Sequence, residues 1–217
     1  MRLWHRFIHP ISAHFRARRA VELLKRYPSL AEWKICDLGG SRHFWQESKL
    51  DLDLTKITIL NISLDEVDAY GESSSQQIQT VLYDGRTIPF ADGSYDLLIC
   101  NSILEHVAPA DRGNLCREMR RVAKRVYVQT PAFEFPVEPH FILPFVHWLP
   151  RRFGRVMARL GVWNLLSRPS DAVYNSYFDD THLLAKAEME ELFPDTVVSA
   201  EKFAGITKSH LVFWEAS

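Results

Sequence analysis

The sequence predicts a doubly wound α/β domain built on a mostly parallel sheet. Three observations indicate this fold: short apolar runs alternate with helical segments, the strongest run is continuously apolar, and polar or glycine residues follow several of the runs. Continuous apolar runs are typical of strands that helices cover on both faces, and alternating strands and helices produce βαβ units. Because 217 residues suffice for one sizeable core, we expect a single domain over residues 1–217.

Residues 1–30 are predicted to form an N-terminal helical segment. Trp4, Ile8, Ile11 and Phe15 recur at helical spacing, with arginines between them, and Pro10 is expected to begin a second helix.

Five strands are then predicted in order along the chain. Each is a short apolar run that ends at a glycine, a proline or a polar residue, and the fourth also follows the turn signal Asp92-Gly93-Ser94. A helix over residues 111–122 precedes the fifth strand. The strands are expected at residues 34–38, 57–62, 79–82, 95–100 and 126–128.

Residues 131–178 are rich in prolines and aromatic residues and are too long for a plain connection, so we expect an inserted substrate lid there. Asp180 or Thr181 is expected to cap a helix that ends at Leu192. Residues 196–198 and 210–214 are expected to pair as a final hairpin.

Composition excludes several classes of protein. The net charge of −1 gives no electrostatic reason to expect a nucleic acid as partner. Cys36, Cys100 and Cys116 lack the spacing of a zinc site or of a disulfide framework. The sequence has neither a long charge-free apolar stretch nor a signal-peptide pattern, which leads us to expect a cytoplasmic protein.

Polar or glycine residues follow four of the predicted strands, where an open α/β sheet binds its ligands. Glycines in such a loop permit positive φ and a close approach of the backbone to a ligand. The residues concerned are Asp37, Gly39, Gly40 and Ser41 after the first strand, Asn61 after the second, Asp84 and Gly85 after the third, and Asn101 and Ser102 after the fourth.

The succession of these segments resembles the class I methyltransferase family. Lys34 to Ser41 is similar to its first motif, hydrophobic-Asp-x-Gly-x-Gly. Ile88 to Leu98, after Asp84, resembles "D…LPF-x-D-x-S-F-D-x-V", and Asn101 to Val107 resembles "N-x-L-E-H-V". The resemblance covers residues 30–130 and implies a Rossmann-like fold with a seven-stranded sheet, with S-adenosylmethionine as cofactor of a methyltransferase.

By that resemblance, Asp37 and Gly39 would line the methionine end of the cofactor. Asn61 would hold the ribose, Asp84 would meet the adenine amine, and Asn101 would face the sulfonium. Two positions depart from the family: Ser41 replaces the second glycine, and Asn61 replaces an acidic residue, which removes charge assistance from the ribose contact.

The methyl acceptor is expected to be a small molecule or a lipid- or saccharide-linked compound. His106 and His140 are the candidate bases that would take its proton, although Glu105-His106 is also explained as a brace for its helix. The candidate substrate residues are Glu138, His147, Tyr174 and Tyr177.

No metal is expected. Some RNA-terminal and quinone-directed methyltransferases hold a divalent ion with an E-x-x-E-H cluster and a further histidine, but Ser102 stands here at the position of the first glutamate. Glu105, His106 and His140 alone make a small, mixed ligand set.

Several alternatives remain open from the sequence. The basic aromatic segments, such as Phe141 to Leu166, are explained as core cover, as a peripheral contact with an anionic membrane, or as a site for an acidic substrate. A non-catalytic binding or scaffold protein is the second functional hypothesis, and an RNA methyltransferase is a weaker third. A nicotinamide-dependent oxidoreductase would need a G-x-G-x-x-G spacing that Ser41 and Phe44 interrupt. The oligomeric state stays open.

Overall fold

The structure is a computed structural model that describes residues 15, 17–47, 50–67 and 77–216, except for the side chains of residues 43, 46, 47, 65 and 66. Trp4, Ile8, Pro10 and Ile11, on which the first helical prediction rests, lie outside the described residues. A first helix, α1, covers residues 17–26 and continues into a short 3₁₀ turn at Leu30–Glu32.

One seven-stranded sheet organises the chain. Its strands are β1 (Ile35–Leu38), β2 (Ile57–Asn61), β3 (Gln79–Leu82), β4 (Leu97–Asn101), β5 (Arg125–Pro131), β8 (Ser199–Phe203) and β9 (Ile206–Glu215). The spatial order is β3-β2-β1-β4-β5-β9-β8, in which β1 to β5 run parallel and β9 is antiparallel to both of its neighbours. This arrangement confirms the predicted doubly wound, mostly parallel, Rossmann-like sheet of seven strands.

The remaining helices follow the strands or belong to the insertion. Strands β6 (Val137–Glu138) and β7 (Leu143–Pro144) form a small antiparallel ribbon of their own. The helices are α2 (Arg42–Glu47), α3 (Leu64–Val67), α4 (Pro109–Val122), α5 (Arg151–Ala158), α6 (Val162–Ser167), α7 (Asp171–Asp180) and α8 (Lys186–Leu192), with 3₁₀ turns at Leu54–Lys56, Leu104–His106 and Val146–Trp148.

Helices cover both faces of the sheet, which explains the continuous apolar strands. All four residues of β1 and the first four of β4 are buried. One core cluster joins Cys36, Leu98 and Val126 to residues of α4 and α8, and a second joins Ile35, Ile59 and Leu97 to residues of α1 and the segment after it. The switch point of the sheet, where connections leave in opposite directions, therefore lies between β1 and β4.

The insertion is more regular than a loop. Its helices α5 and α7 enclose a separate small core of Phe141, Val146, Ala158, Tyr174 and Phe178. None of the helices in the described ranges is both long and apolar enough to cross a membrane.

Two predicted boundaries in the C-terminal part are wrong. Asp180 ends α7, which Ser170 caps by accepting a hydrogen bond from Val173 N, and the next helix begins only at Lys186. The first hairpin strand starts at Ser199, because positive φ at Ala204 and Gly205 places the turn there and fixes the register backwards from it. Val197, in the predicted strand, is 82% exposed.

Candidate functional site

The polar ends of β1, β2, β3 and β4 meet at one edge of the sheet, as the sequence predicts. Gly39 N donates to Leu60 O at 2.8 Å, and the Asn61 side chain donates to Gly40 O at 3.4 Å. Tyr83 N, just after β3, donates to Asn61 O at 3.1 Å. Since β4 pairs with β1, the loops after residues 38, 61, 82 and 101 form one rim at the carboxyl ends of neighbouring parallel strands.

Both glycines after β1 are required by the space around them. Gly39 has φ +72°, and a Cβ built there would lie 2.0 Å from Ile103 Cδ1. A Cβ on Gly40 would lie 1.8 Å from Asp37 Oδ2. The loop that leads through Ser41 into α2 can therefore keep its path only without side chains at these two positions.

Gly40→Ala is expected to lower the free energy of unfolding by about 2–3 kcal/mol, because the added methyl group displaces the buried Asp37 carboxyl. Gly113→Ala in α4 is the matched control: its Cβ would meet only Arg117 Nη1, at 3.9 Å. Alanine is a better helix former than glycine, so this variant should gain about 0.5–1 kcal/mol. Urea unfolding measures the free energy of unfolding of both variants. Equal midpoints would contradict the claim that the space at Gly40 excludes a side chain.

Asp37 is the buried acid of this rim. Its Oδ2 accepts a hydrogen bond from Trp45 Nε1 of α2 at 2.6 Å, and only 4% of the residue is exposed. Burial raises the pKa of Asp37 to about 7, and the Trp45 bond opposes that rise. A group of positive charge beside this carboxyl would favour its ionised form.

Asn61 and Asp84 stand in different environments. The Asn61 amide is buried and used inside the protein, because Oδ1 accepts from Ile62 N at 2.7 Å while Nδ2 donates to Gly40 O. Asp84 is exposed, and its Oδ1 accepts from Arg86 N and Thr87 N, both at 2.8 Å. These hydrogen bonds lower the pKa of Asp84, so its carboxylate stays ionised, next to a turn that Gly85 makes with φ +77°.

The sequence did not indicate Arg19 of α1 as a site residue. Its Nη1 donates to Asn101 Oδ1 at 2.7 Å and to Gln129 Oε1 at 2.8 Å, and its Nε donates to Glu201 Oε1 at 3.0 Å. Ser102, at φ 58°, donates from Oγ to the same Gln129 oxygen at 2.9 Å. Arg19 thus ties α1 to the end of β4, in contact with the side chain that the family resemblance places at the sulfonium.

A buried carboxylate–imidazole cluster joins the 3₁₀ turn after β4 to the β6–β7 ribbon. Glu105, in the 3₁₀ turn after β4, is fully buried, and its Oε2 accepts from Thr130 Oγ1 at 2.9 Å. His140 Nδ1 lies 2.6 Å from Glu138 Oε1, and His140 Nε2 lies 3.9 Å from Glu105 Oε1. The Glu138 pairing fixes the imidazole so that Nε2 points toward Glu105, whose Oε1 has no hydrogen-bond partner among the described residues.

The pKa values of the two histidines move in opposite directions. Burial alone would lower the pKa of His140, but the carboxylates of Glu138 and Glu105 raise it above its usual value. Burial and the neighbouring His140 lower the pKa of His106 to about 4, so His106 stays neutral. Its ring packs edge-on against His140, with centroids 4.9 Å apart, and stacks on Tyr177 at 6.1 Å.

Glu105, His106 and His140 are also the residues that could hold a metal ion. Their ligand atoms all lie within 4.8 Å of one another. The sequence brings only Glu105 and His106 together, and the β6–β7 ribbon adds His140. The expectation of no metal stays a prediction.

A cavity of about 260 Å³ lies beside the cluster, inside the insertion. Glu138 lines it and so connects it to His140, and His147 lines it as well. Tyr174 lies instead in the buried core of the insertion, where its hydroxyl donates to Arg155 O. Arg151, Thr181 and His182 also line the cavity, and the sequence did not indicate them as site residues. The only local signal was their position within or next to the predicted lid.

Comparisons with known proteins show which fold this geometry belongs to. Residues 39–126 match the family model described as a methyltransferase domain. An S-adenosylmethionine-dependent methyltransferase from Mesorhizobium loti is similar in structure, with TM-score 0.53 and 14% identity over 88% of this chain and 94% of that one. The chain has a class I methyltransferase fold.

Two further solved structures of this methyltransferase fold are similar. One is a SAM-dependent methyltransferase from Aquifex aeolicus, with TM-score 0.52, 10% identity and coverage of 88% of this chain and 87% of that one. The other is magnesium protoporphyrin IX methyltransferase from Synechocystis with bound SAH, with TM-score 0.53, 11% identity and coverage of 95% and 84%. Comparison with curated protein sequences finds no match.

Proposed function

We propose that this protein transfers a methyl group from S-adenosylmethionine to a small-molecule or lipid- or saccharide-linked acceptor. The observation that carries the proposal is that two sites lie side by side. The polar rim after β1 to β4 occupies the ligand edge of a methyltransferase fold, and the Glu138–His140 pair lies beside the end of the same β4.

The residues of the rim fit the cofactor by their chemistry. The buried Asp37 carboxyl suits the ammonium of a methionine moiety, and the exposed Asp84 carboxylate suits the adenine amine. Gly39 and Gly40 leave the loop after β1 without side chains at these two positions. Asn61 takes part through the loop that it braces rather than through a free amide, so the ribose contact is the weakest part of the fit.

When bound, the cofactor supplies an activated methyl group for in-line displacement by the acceptor. The chain must therefore orient the acceptor, exclude water and receive a proton. His140 is suited to receive that proton at Nε2, because Glu138 holds Nδ1 and stabilises the imidazolium that forms. Neutral His106 and the ring of Tyr177 form the adjacent wall.

The acceptor is proposed to enter through the cavity in the insertion. Its walls are mainly apolar and aromatic, with Glu138, His147 and His182 as polar groups that could orient a hydroxyl-bearing molecule. His147 Nε2 is paired with Phe133 O at 3.0 Å, while its buried Nδ1 has no partner among the described residues.

A non-catalytic binding protein is the second candidate, and one observation favours it. The Arg19 guanidinium donates a hydrogen bond to the Asn101 side chain. It therefore places a positive charge where the resemblance puts the sulfonium. In this alternative, α1 would close the rim permanently and the fold would serve as a scaffold.

An assay with methyl-labelled S-adenosylmethionine separates these candidates. The full chain is incubated with three acceptor preparations: a lipid extract, a saccharide mixture and total RNA. We expect label in the lipid or saccharide product together with release of S-adenosylhomocysteine. Label in RNA would identify the RNA methyltransferase alternative, and cofactor binding without any product would favour the scaffold.

A further inference from the structure

Helix α5 presents an apolar stripe to solvent instead of to the protein. Phe153, Val156, Met157 and Leu160 follow the spacing i, i+3, i+4, i+7 and share one side of the helix and its continuation. Their exposed fractions are 53, 67, 42 and 59%. A surface helix normally turns such a stripe inward, so the orientation of α5 is inverted relative to that pattern.

Small residues fix this orientation. Gly154 and Ala158 form the buried side of α5, and a Cβ on Gly154 would lie 3.0 Å from Val146 O. The helix therefore packs closely against the 3₁₀ turn at Val146–Trp148 through the side that lacks large side chains. This close packing turns the apolar stripe toward solvent and fixes the orientation of the helix.

Exposed apolar side chains are concentrated in this part of the chain. Residues 145–173 contain ten of the eighteen large hydrophobic residues that are exposed in the described ranges. Phe145 and Trp148 precede α5, and their rings lie 5.3 Å apart. Concentrated exposed apolar surface of this kind marks an interaction site.

The same segment is basic. Residues 145–173 contain five arginines and one acidic residue, Asp171, while Arg151 and Arg155 pair with Asp179 of α7. Arg152 and Arg159 lie beside the stripe and are both exposed. Arg159 pairs with Asp171 at 2.8 Å, an exposed ion pair of small energy. Arg152 has no acidic partner within 4.0 Å among the described residues, and its guanidinium lies over the Phe153 ring at 4.7 Å.

We propose that the α5 stripe docks onto an anionic lipid bilayer. A short helix with an apolar stripe, an aromatic flank and a row of arginines has the composition of helices that lie in the headgroup region. Arginine can reach lipid phosphates while its stem stays along the apolar surface. A second copy of this face is a poorer partner, because an isologous contact would bring the arginine-rich segment against itself.

Docking would also place the cavity near the bilayer. Leu149, Arg151 and Gly154 line the cavity and belong to α5 or to the turn before it. If the cavity holds the methyl acceptor, a point that rests on the proposed function, the acceptor is drawn from the membrane as a lipid-linked molecule. The docking itself requires no cofactor and no turnover.

Vesicle flotation of the full chain, without cofactor, tests the proposal. The probes are vesicles of phosphatidylcholine alone and vesicles in which about a third of the lipid is phosphatidylglycerol. We expect binding to the anionic vesicles only. The double variant Phe153→Ser, Val156→Ser should lose at least tenfold in partitioning, and Arg152→Gln about fivefold.

Val197→Ser is the matched control, because Val197 is an apolar residue that is 82% exposed and lies outside the segment. This variant should bind vesicles as the parent chain does. All the substituted side chains are exposed, and circular dichroism verifies that the variants fold. Equal partitioning of the double variant and the control would overturn the proposal, as would absence of vesicle binding. A dimer in lipid-free solution that only the double variant disrupts would overturn it too, by assigning the face to a second copy.

Discussion

Asp37→Asn is expected to weaken binding of S-adenosylmethionine at least tenfold. The substitution keeps the size of the side chain and an oxygen that can accept from Trp45 Nε1, but it removes the charge that would pair with the cofactor's ammonium group. Titration calorimetry measures the effect. Asp53→Asn, which alters an exposed carboxylate at the cap of a 3₁₀ turn, is the control and should bind normally.

The pH dependence of the same binding gives a second check. Because burial raises the pKa of Asp37 to about 7, its ionised fraction grows as the pH rises through neutrality. Cofactor affinity of the parent chain should therefore increase from pH 6 to pH 8, and that of Asp37→Asn should change little. An affinity that is independent of pH in both proteins would show that Asp37 makes no charged contact.

The free energy of unfolding depends on pH in the opposite direction to cofactor affinity. The folded state holds the Asp37 proton more tightly than the unfolded chain, whose carboxyl has the ordinary pKa of 3.8. The contribution of Asp37 to the free energy of unfolding is thus largest at acid pH and declines as the pH rises from about 4 to about 7. Asp37→Asn should lack this decline.

His140→Ala is expected to reduce turnover by about 10² to 10⁴-fold, the range for loss of a general base, with a smaller effect on cofactor binding. The geometry behind this prediction is the short His140–Glu138 contact, which orients Nε2 toward the cluster. The measurement is the steady-state rate of S-adenosylhomocysteine release with a saturating acceptor. A turnover within twofold of the parent rate would exclude His140 as the base.

Glu138→Gln tests the pair without removing the imidazole. The Glu138 carboxylate raises the pKa of His140, and a base is active when it is unprotonated. The acid limb of the pH–rate profile should therefore move to lower pH in Glu138→Gln. Glu134→Gln is the control, since Glu134 pairs in the same way with the remote His210 at 2.9 Å. A limb that moves equally in both variants would mean that neither carboxylate acts through His140.

The rim of the sheet could be predicted because its determinants are local. Asp37 lies near the end of the buried strand β1 and Gly39 and Gly40 directly follow it. The parallel order of strands places Asn61 and Asn101 on the same edge. What no local pattern shows is how each side chain is used. The Asn61 amide forms hydrogen bonds with neighbouring backbone groups, and these bonds depend on the path of the Gly39-Gly40 loop.

Contacts between distant segments account for the rest. Arg19 reaches Asn101, Gln129 and Glu201 across 82, 110 and 182 positions, so nothing near Arg19 distinguishes it from other arginines of the basic N-terminal segment. His140 lies between β6 and β7, far along the chain from Glu105, so no local pattern indicates that the two side chains meet. The sequence predicted an insertion over residues 131–178 but not helix α5, and the side that this helix turns to solvent is decided by packing at Gly154.

Hydrogen exchange on the full chain, with and without S-adenosylhomocysteine, tests the central claim most directly. We expect slower exchange on ligand addition in the backbone amides that follow β1, β2, β3 and β4, around residues 39, 62, 84 and 102. Exchange that stays unchanged at these four loops, or slows only within the insertion, would contradict a cofactor site at this edge of the sheet.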